Sequence, residues 1–260
     1  MLEEIKREKA RDPMKFLKNT IIFLLCTALC LCIPVTSEAS QSSVTISNDQ
    51  QQQPATGWRT VKGKKYYYNK RGVKVTGLKT IDGARYYFNK RGVMQTGLKK
   101  IKNKRYYFDK KNGYMVKTAL YKNYIIAWNG VCHKIPNKKT GNKTKDAQRV
   151  AKLVAKCVSK KGKDLDRVGQ AAFYVSAFCQ RCTYTMEGSD YSQAYGVFIS
   201  KKYSCAGATR ALGMVLGYMG YKWKHANANQ YTHQWCILKM DGKKGYADGQ
   251  VGWAGYGKHP

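Results

Sequence analysis

Cys205 stands at a position where a cysteine can act as a nucleophile. It opens a run whose apolar residues recur at helical spacing, namely Ala208, Leu212, Val215 and Leu216. A cysteine at a helix N-terminus lies at the positive end of the helix dipole, which favours the reactive thiolate form. The backbone N–H groups of that first turn also point outward and can stabilise an oxyanion. The pattern therefore predicts attack on a carbonyl group.

A histidine and an aspartate follow at a spacing that predicts a base and its orienting carboxylate. Residues 231–248 are typical of two strands around an Asp241-Gly242 turn, with His233 starting the first strand and Asp248 ending the second. Antiparallel pairing brings those two ends together and places the carboxylate beside the imidazole. The sequence thus predicts a catalytic triad of Cys205, His233 and Asp248.

Helices must position this triad, and two amphipathic segments precede it. Apolar spacing predicts helices over 143–160 and 164–182, so that helices and a hairpin together indicate an α+β domain. With a His-x-Trp pattern at His233–Trp235, the region resembles, over residues 140–253, the transglutaminase-like superfamily of papain-type cysteine enzymes. The C-terminal part of the chain is therefore expected to be a transglutaminase-like domain.

That resemblance implies a reaction on peptide or carboxamide bonds of a protein or peptide substrate. The Cys205 thiolate would attack the carbonyl, His233 would move the proton, and Asp248 would orient the imidazole. The thioester then passes to water, as in a peptidase or amidase, or to an amine, as in protein cross-linking. We expect hydrolysis, because bacterial members of the superfamily are often protease-like. No cofactor and no metal are expected.

The other cysteines and histidines carry weaker signals. Cys157 and Cys236 lie at apolar positions and are expected to be buried. The Cys179-Gln-Arg-Cys182 pair could be a redox pair, half of a zinc site or a local disulfide, although no second ligand pair lies at a suitable spacing. No role is predicted for three histidines, His133, His225 and His259.

A twenty-residue repeat occupies the N-terminal half. Units begin at Gly57, Gly77 and Gly97, each with a Tyr-Tyr-Tyr or Tyr-Tyr-Phe run, and a degraded fourth unit spans about 120–131. Each unit is typical of a short hairpin, which is unstable alone but can bury its aromatic face on the next unit. We therefore expect a small β-hairpin solenoid closed by the fourth unit.

These repeats resemble the cell-wall-binding, or choline-binding-like, repeats of Gram-positive surface proteins. That family holds choline of teichoic acid, or glucans, in aromatic cages, where a quaternary ammonium is attracted by cation–π contacts. Here the first unit has a tryptophan, whereas the next two have Leu78 and Leu98 at that position. The expected ligand-binding rings are Trp58, Tyr67, Tyr87 and Tyr107.

Charge favours an anionic partner. The chain carries a formal net charge of +33, and residues 57–118 hold 19 Lys and Arg against two Asp. Such a surface repels a cationic head group and suits a polyanion, so the expected partner is teichoic acid or another wall glycan. Nucleic acid is not expected, because an export signal and wall-type repeats accompany the basic surface.

The export signal is the apolar run at 21–35, preceded by lysines and followed by Ser37-Glu38-Ala39. Cleavage after Ala39 would leave no membrane span and would release the protein to the Gram-positive cell wall; retention of the segment as a membrane anchor is the alternative.

The predicted segments are a signal peptide at 1–39, a linker at 40–56, repeats with a degraded cap at 57–136 and a catalytic domain at 137–260. A non-catalytic wall-binding adhesin and a papain-like peptidoglycan hydrolase are the alternatives.

Overall fold

The computed structural model of the protein describes residues 56–137, 139–228 and 232–260. The export signal predicted for residues 1–39, and the predicted linker except for residue 56, lie outside these described residues. All described residues belong to one compact unit, which includes both the repeats and the helical region. Within them, no helix has the length and apolar character that a membrane span requires.

Three antiparallel hairpins form the repeat region, as the sequence predicted. Their strands are β1 (Gly57–Val61) and β2 (Lys64–Tyr68), β3 (Gly77–Ile81) and β4 (Ala84–Phe88), and β5 (Gly97–Ile101) and β6 (Lys104–Phe108). In the first two turns, Lys62-Gly63 and Asp82-Gly83, both residues adopt positive φ, which matches the twist of the paired strands.

An Asn or Asp side chain shapes the loop that follows each hairpin. Asn69 and Asn89 each accept hydrogen bonds from backbone N–H groups two and four residues ahead, at 2.9 and 3.0 Å. Asp109 takes this place in the third unit and accepts from the N–H of Asn112 at 2.6 Å, which accommodates that unit's extra residue.

Neighbouring units are joined by backbone hydrogen bonds and by buried rings. The N–H of Met94 donates to the Lys65 carbonyl at 2.8 Å and so links the loop of the second unit to the hairpin of the first. Phe88 and Phe108, each the last ring of a Tyr-Tyr-Phe run, are almost completely buried. The stack of hairpins therefore buries an aromatic face that no single hairpin could cover.

The fourth unit is more than the closing cap that its sequence predicted. It forms a three-stranded sheet of β7 (Ala119–Tyr121), β8 (Tyr124–Ile126) and β9 (Cys132–Lys134). Ile125 is fully buried in the core of the helical region, and the Tyr174 hydroxyl donates to the Ile126 carbonyl at 2.6 Å. The unit thus joins the repeats to the helical region.

Three helices follow: α1 (Lys143–Cys157), α2 (Asp164–Cys179) and α3 (Cys205–Tyr218). The Asn142 side chain caps α1 by accepting from the N–H of Lys145 at 2.8 Å. A side chain distant in sequence caps α2, since Asp241 accepts from the N–H groups of Asp164 and Leu165 at 2.9 and 3.0 Å. A single π turn spans Gly196–Ser200.

A four-stranded antiparallel sheet completes the mixed α+β region, in the order β12 (Trp223–Ala226), β13 (Trp235–Met240), β14 (Lys243–Asp248) and β15 (Trp253–Tyr256). Two short parallel strands, β10 (Thr183–Tyr184) and β11 (Lys202–Tyr203), lie apart from it. The predicted hairpin around Asp241-Gly242 is β13 and β14. The core between helices and sheet consists of fully buried side chains that include Val154, Val175, Leu212, Leu216 and Met240.

Two glycines on α3 should respond oppositely to alanine. A Cβ on Gly213 would clash with the Trp223 ring of β12, whereas Gly217 faces open space. Gly213→Ala should therefore destabilise the protein by about 1–3 kcal/mol through overpacking. Gly217→Ala should stabilise it by up to about 1 kcal/mol. Thermal unfolding of both variants measures this, and equal effects would contradict the close packing of α3 on β12.

Candidate functional site

Cys205 is the first residue of α3, directly after an extended Ser204, as the sequence predicted. Its side chain is largely buried but reaches a cleft of about 450 Å³, here called the cysteine cleft. The residues that line this cleft include Tyr184, Met186, Tyr191, Cys205, Arg210, His233 and Gln234. Cys205 and His233 therefore face the same space.

Several contacts hold the start of α3 in place. The N–H of Ser204 donates to the Tyr191 carbonyl at 3.0 Å, and the buried Thr209 hydroxyl donates to the Cys205 carbonyl at 2.9 Å. Gly207 permits this approach, because a Cβ there would clash with the Tyr191 carbonyl oxygen. The first turn of α3 is thus packed tightly against the segment before the π turn.

His233 and Asp248 are joined across the hairpin. His233 lies two residues before β13, and its Nε2 is 2.5 Å from Oδ2 of Asp248, the last residue of β14. Asp248 is fully buried. Its Oδ1 accepts hydrogen bonds from the N–H groups of Gln250 and Val251 at 2.8 and 3.3 Å. These bonds offset the free energy that burial of a carboxylate costs.

His259, for which the sequence predicted no role, is a second imidazole on this carboxylate. Its Nε2 lies 3.0 Å from Oδ2 of Asp248, and its ring stacks on Trp235 with centroids 4.4 Å apart. Nothing local in the sequence signals this contact, because it depends on the pairing of β14 with β15 and on the path of the chain beyond them.

His225 also has a partner that the sequence did not reveal. Its Nε2 lies 2.7 Å from Oε1 of the buried Gln234, next to His233 in the wall of the cysteine cleft. Across the cleft, Tyr184 is half exposed; burial, followed by its interaction with the Cys205 thiol, raises the pKa of Tyr184. Tyr184 is therefore a neighbour of Cys205 that sequence spacing could not identify.

The other five cysteines in the described part of the chain lie in surroundings that disfavour a thiolate. Burial raises the pKa of Cys132 to about 11 and that of Cys157 to about 12. Burial also raises the pKa of Cys179, Cys182 and Cys236. Cys179 and Cys182, for which the sequence left three interpretations open, are both free thiols in the structure.

One group among the described residues could also hold a metal ion. The ligand atoms of His233, Asp248 and His259 all lie within 4.8 Å of one another. Both histidines, however, lie at hydrogen-bonding distance from the same carboxylate oxygen, so direct hydrogen bonds already account for the cluster.

A second cleft, of about 360 Å³, lies in the repeats and is here called the repeat cleft. It is lined by Trp58, Arg59, Thr60, Lys65, Tyr86, Met94 and Asn112. The Trp58 ring is 38% exposed and meets Tyr86 of the next unit edge-on, with centroids 4.9 Å apart. The cleft thus combines one exposed indole face with two cationic side chains.

The other three rings predicted to bind ligand lie elsewhere in the repeats. Tyr67 packs edge-on against Trp58 at 5.2 Å. Tyr87 stacks on the buried Phe108 at 5.9 Å, and Tyr107 stacks on Tyr121 at 3.9 Å. In the repeat cleft it is Tyr86, the ring before Tyr87 in sequence, that stands beside Trp58.

Alkylation should distinguish Cys205 from the other five cysteines among the described residues. Iodoacetamide near pH 7 should label Cys205 at least about tenfold faster, because burial keeps the others as thiols whereas Cys205 opens onto the cysteine cleft. Peptide mass spectrometry over a time course measures the rates. Cys205→Ala should remove the fast phase and Cys132→Ala should retain it; uniform labelling of the folded protein would contradict the assignment.

Comparisons with known proteins concern the repeats. Residues 75–119 match a family model described as a choline-binding repeat, and residues 56–74 match one described as a putative cell wall binding repeat. A comparison with curated proteins finds no significant match.

Three solved structures of Streptococcus pneumoniae proteins are similar. CbpJ from strain TIGR4 is 28% identical over 30% of this chain and 27% of its own, with a TM-score of 0.29. Choline binding protein F is 31% identical over 34% of this chain and 30% of its own, with a TM-score of 0.30. The choline binding domain of Spr1274 is 29% identical over 31% of this chain and 98% of its own, with a TM-score of 0.30. This chain spans under a third of the length of the first two proteins. The family models show that residues 56–119 carry repeats of the choline-binding, cell wall binding type.

Proposed function

We propose that the protein is a cell-wall-associated cysteine enzyme of the transglutaminase-like type, which acts on peptide or carboxamide bonds. The observation that supports it is one arrangement: Cys205 at a helix N-terminus faces a cleft shared with His233, whose Nε2 contacts the buried Asp248. A thiol, an imidazole and a carboxylate in this order are the parts of a nucleophilic triad.

In the proposed reaction, the Cys205 sulfur bonds to the carbonyl carbon while the thiol proton passes to His233. Because Nε2 of His233 contacts Asp248, the nitrogen that takes this proton is Nδ1. Collapse of the tetrahedral intermediate breaks the C–N bond, and His233 returns the proton to the leaving amine. The product of this half is a thioester on Cys205 and a free amine.

The second half transfers the acyl group. Water or an amine attacks the thioester carbon and gives its proton to His233, and the C–S bond breaks as the proton returns to sulfur. The free enzyme is regenerated whether water or an amine accepts the acyl group. The same triad can therefore support peptidase, amidase or cross-linking activity. The cysteine cleft is open to solvent at the half-exposed Tyr184 and Met186, which favours water as the acceptor.

The oxyanion of the tetrahedral intermediate needs hydrogen-bond donors near the start of α3. The N–H of Cys205 is one such donor, because the first N–H groups of a helix have no partner within it. The Ser204 side chain does not cap this end, so the positive end of the helix remains directed at the cleft.

The repeats are proposed to hold this enzyme on the cell wall, which makes the protein surface-associated. The matches to wall-binding repeats and the charge of residues 57–118, with 19 basic against two acidic residues, support an anionic wall polymer such as teichoic acid as the partner. Arg59 and Lys65 in the repeat cleft disfavour a free cationic head group, while Trp58 offers one face for it.

A second candidate is a wall-binding protein without catalytic activity. The matches to binding repeats favour it, since they account for attachment and require no chemistry. A papain-like peptidoglycan hydrolase is a further variant of the enzymatic proposal, in which the cleaved bond lies in a wall peptide.

Turnover of a glutamine-containing peptide tests the proposed activity. The protein should release ammonia or shorten the peptide, and an added primary amine should appear in the product if transfer occurs. Asp248→Asn should lower the rate by orders of magnitude, because it removes the charge that stabilises the His233 imidazolium. His233→Ala should cost at least as much. Mass spectrometry of the peptide, with and without amine, measures all of these.

Cys205→Ala serves as the inactive reference and Cys132→Ala as the matched control that should keep full activity. Activity that survives Cys205→Ala would disprove the nucleophile. If the folded wild-type protein fails to turn over glutamine peptides and isolated wall peptides alike, the non-catalytic candidate is favoured.

Binding to isolated Gram-positive walls tests the proposed attachment. Binding should weaken steeply as salt rises from 0.1 to 1 M, since the screening length falls from about 10 to about 3 Å. Stripping teichoic acid should remove most of the bound protein, and free choline should compete poorly. A pull-down with intact and stripped walls measures this.

Trp58→Ala should reduce wall binding, whereas Trp128→Ala, a similarly exposed tryptophan outside the repeat cleft, should not. Salt-insensitive binding that choline displaces would show that the repeats bind choline through cation–π contacts instead. Binding that survives the stripping would point to a wall glycan.

A further inference from the structure

We propose that His259 is a positioning residue of the cysteine site, which acts through Asp248 to orient His233. This inference rests on the proposed function, in which His233 exchanges a proton with Cys205. It adds a residue to that site which the order of Cys205, His233 and Asp248 along the sequence does not predict.

The geometry that carries the inference is the sharing of one oxygen. Oδ2 of Asp248 lies 2.5 Å from Nε2 of His233 and 3.0 Å from Nε2 of His259. The His259 side chain is only 12% exposed and that of Asp248 only 1%. Two imidazoles therefore meet a single carboxylate oxygen, with His233 on the side open to solvent and His259 on the side from which water is nearly excluded.

His259 is itself held firmly. Its ring stacks on Trp235 and meets Tyr246 edge-on, with centroids 4.4 and 4.8 Å away. Its Nδ1 lies 2.9 Å from the Pro260 carbonyl oxygen. Just before it, the N–H of Gly257 donates to the Lys244 carbonyl at 2.9 Å, which ties this segment to the edge of β14. A ring that packs against two aromatic side chains and contacts Asp248 through Nε2 can fix its neighbour in turn.

Asp248 needs such a restraint because the terminal torsion of a carboxylate is soft. Backbone N–H groups of the following turn hold only Oδ1. The contact with His259 fixes Oδ2 as well, and with it the plane of the carboxylate and the direction in which His233 is held. The two thiols near enough to interact with the charge of Asp248 are those of Cys179 and Cys236; burial keeps both protonated, so neither adds a competing charge.

Two substitutions separate the hydrogen bond from the stacking. His259→Phe keeps an aromatic ring on Trp235 and loses the N–H, whereas His259→Gln keeps an N–H donor and loses the ring. The positioning role predicts that Phe lowers kcat by roughly 10- to 100-fold with little change in KM, the loss expected for one hydrogen bond to a charged group. Gln should recover part of that loss. If His259 only fills space against Trp235, His259→Gln should instead have the lower kcat and the lower melting temperature of the two variants.

A second readout needs no substrate. The rate of Cys205 alkylation by iodoacetamide is measured against pH for wild type and both variants. The profile of His259→Phe should move to higher pH, because a less well oriented His233 accepts the thiol proton less readily; that of His259→Gln should move less. This measurement remains informative if no peptide is turned over, so failure of the inference and failure of the proposed function are distinguishable.

Two results would overturn the positioning role. One is a His259→Phe variant with the kcat and the alkylation profile of wild type. The other is loss of activity and of fast alkylation when the wild-type protein is treated with EDTA, followed by recovery with Zn²⁺, which would make His233, Asp248 and His259 a metal centre.

Discussion

The burial of the Asp248 carboxylate is the constraint on which the site depends. A carboxylate removed from water is tolerated only when its oxygens are matched by donors. Here the donors are two imidazoles, those of His233 and His259, and two backbone N–H groups of the turn after β14. They come from the residues just before β13, from the turn after β14 and from the segment beyond β15. The strands of the sheet must therefore be paired in register before the carboxylate is satisfied, which ties formation of the site to completion of the fold.

Cys205, the proposed nucleophile, comes from a different layer, and tight packing sets its place against the sheet. Gly213 brings α3 against Trp223 of β12, and Gly207 brings its first turn against the Tyr191 carbonyl. Both contacts exclude even a methyl group, so the helix has little freedom to shift. Cys205 and His233 thus line one cleft from two elements whose relative position is fixed by close packing.

The fourth unit shares one core with the helical region, so no flexible linker separates the two. Ile125 of the fourth unit is buried among the helices, and the hydroxyl of Tyr174 in α2 bonds to the Ile126 carbonyl. A wall polymer held in the repeat cleft would therefore lie at a defined place relative to the cysteine cleft.

Local pattern was enough to predict much of this protein. Period-20 aromatic runs predicted the hairpins, apolar spacing predicted the three helices, and the Asp241-Gly242 turn predicted the β13–β14 pair that brings His233 to Asp248. These features depend on residues near one another in the chain. The contact of His259 with Asp248, the cap that Asp241 provides for α2 and the place of Tyr86 beside Trp58 were decided by tertiary structure alone. Each of these contacts joins segments that come together only when strands pair or units stack. A buried carboxylate or a helix end then forms hydrogen bonds with the groups that the completed fold places within reach, and these cannot be read from local sequence.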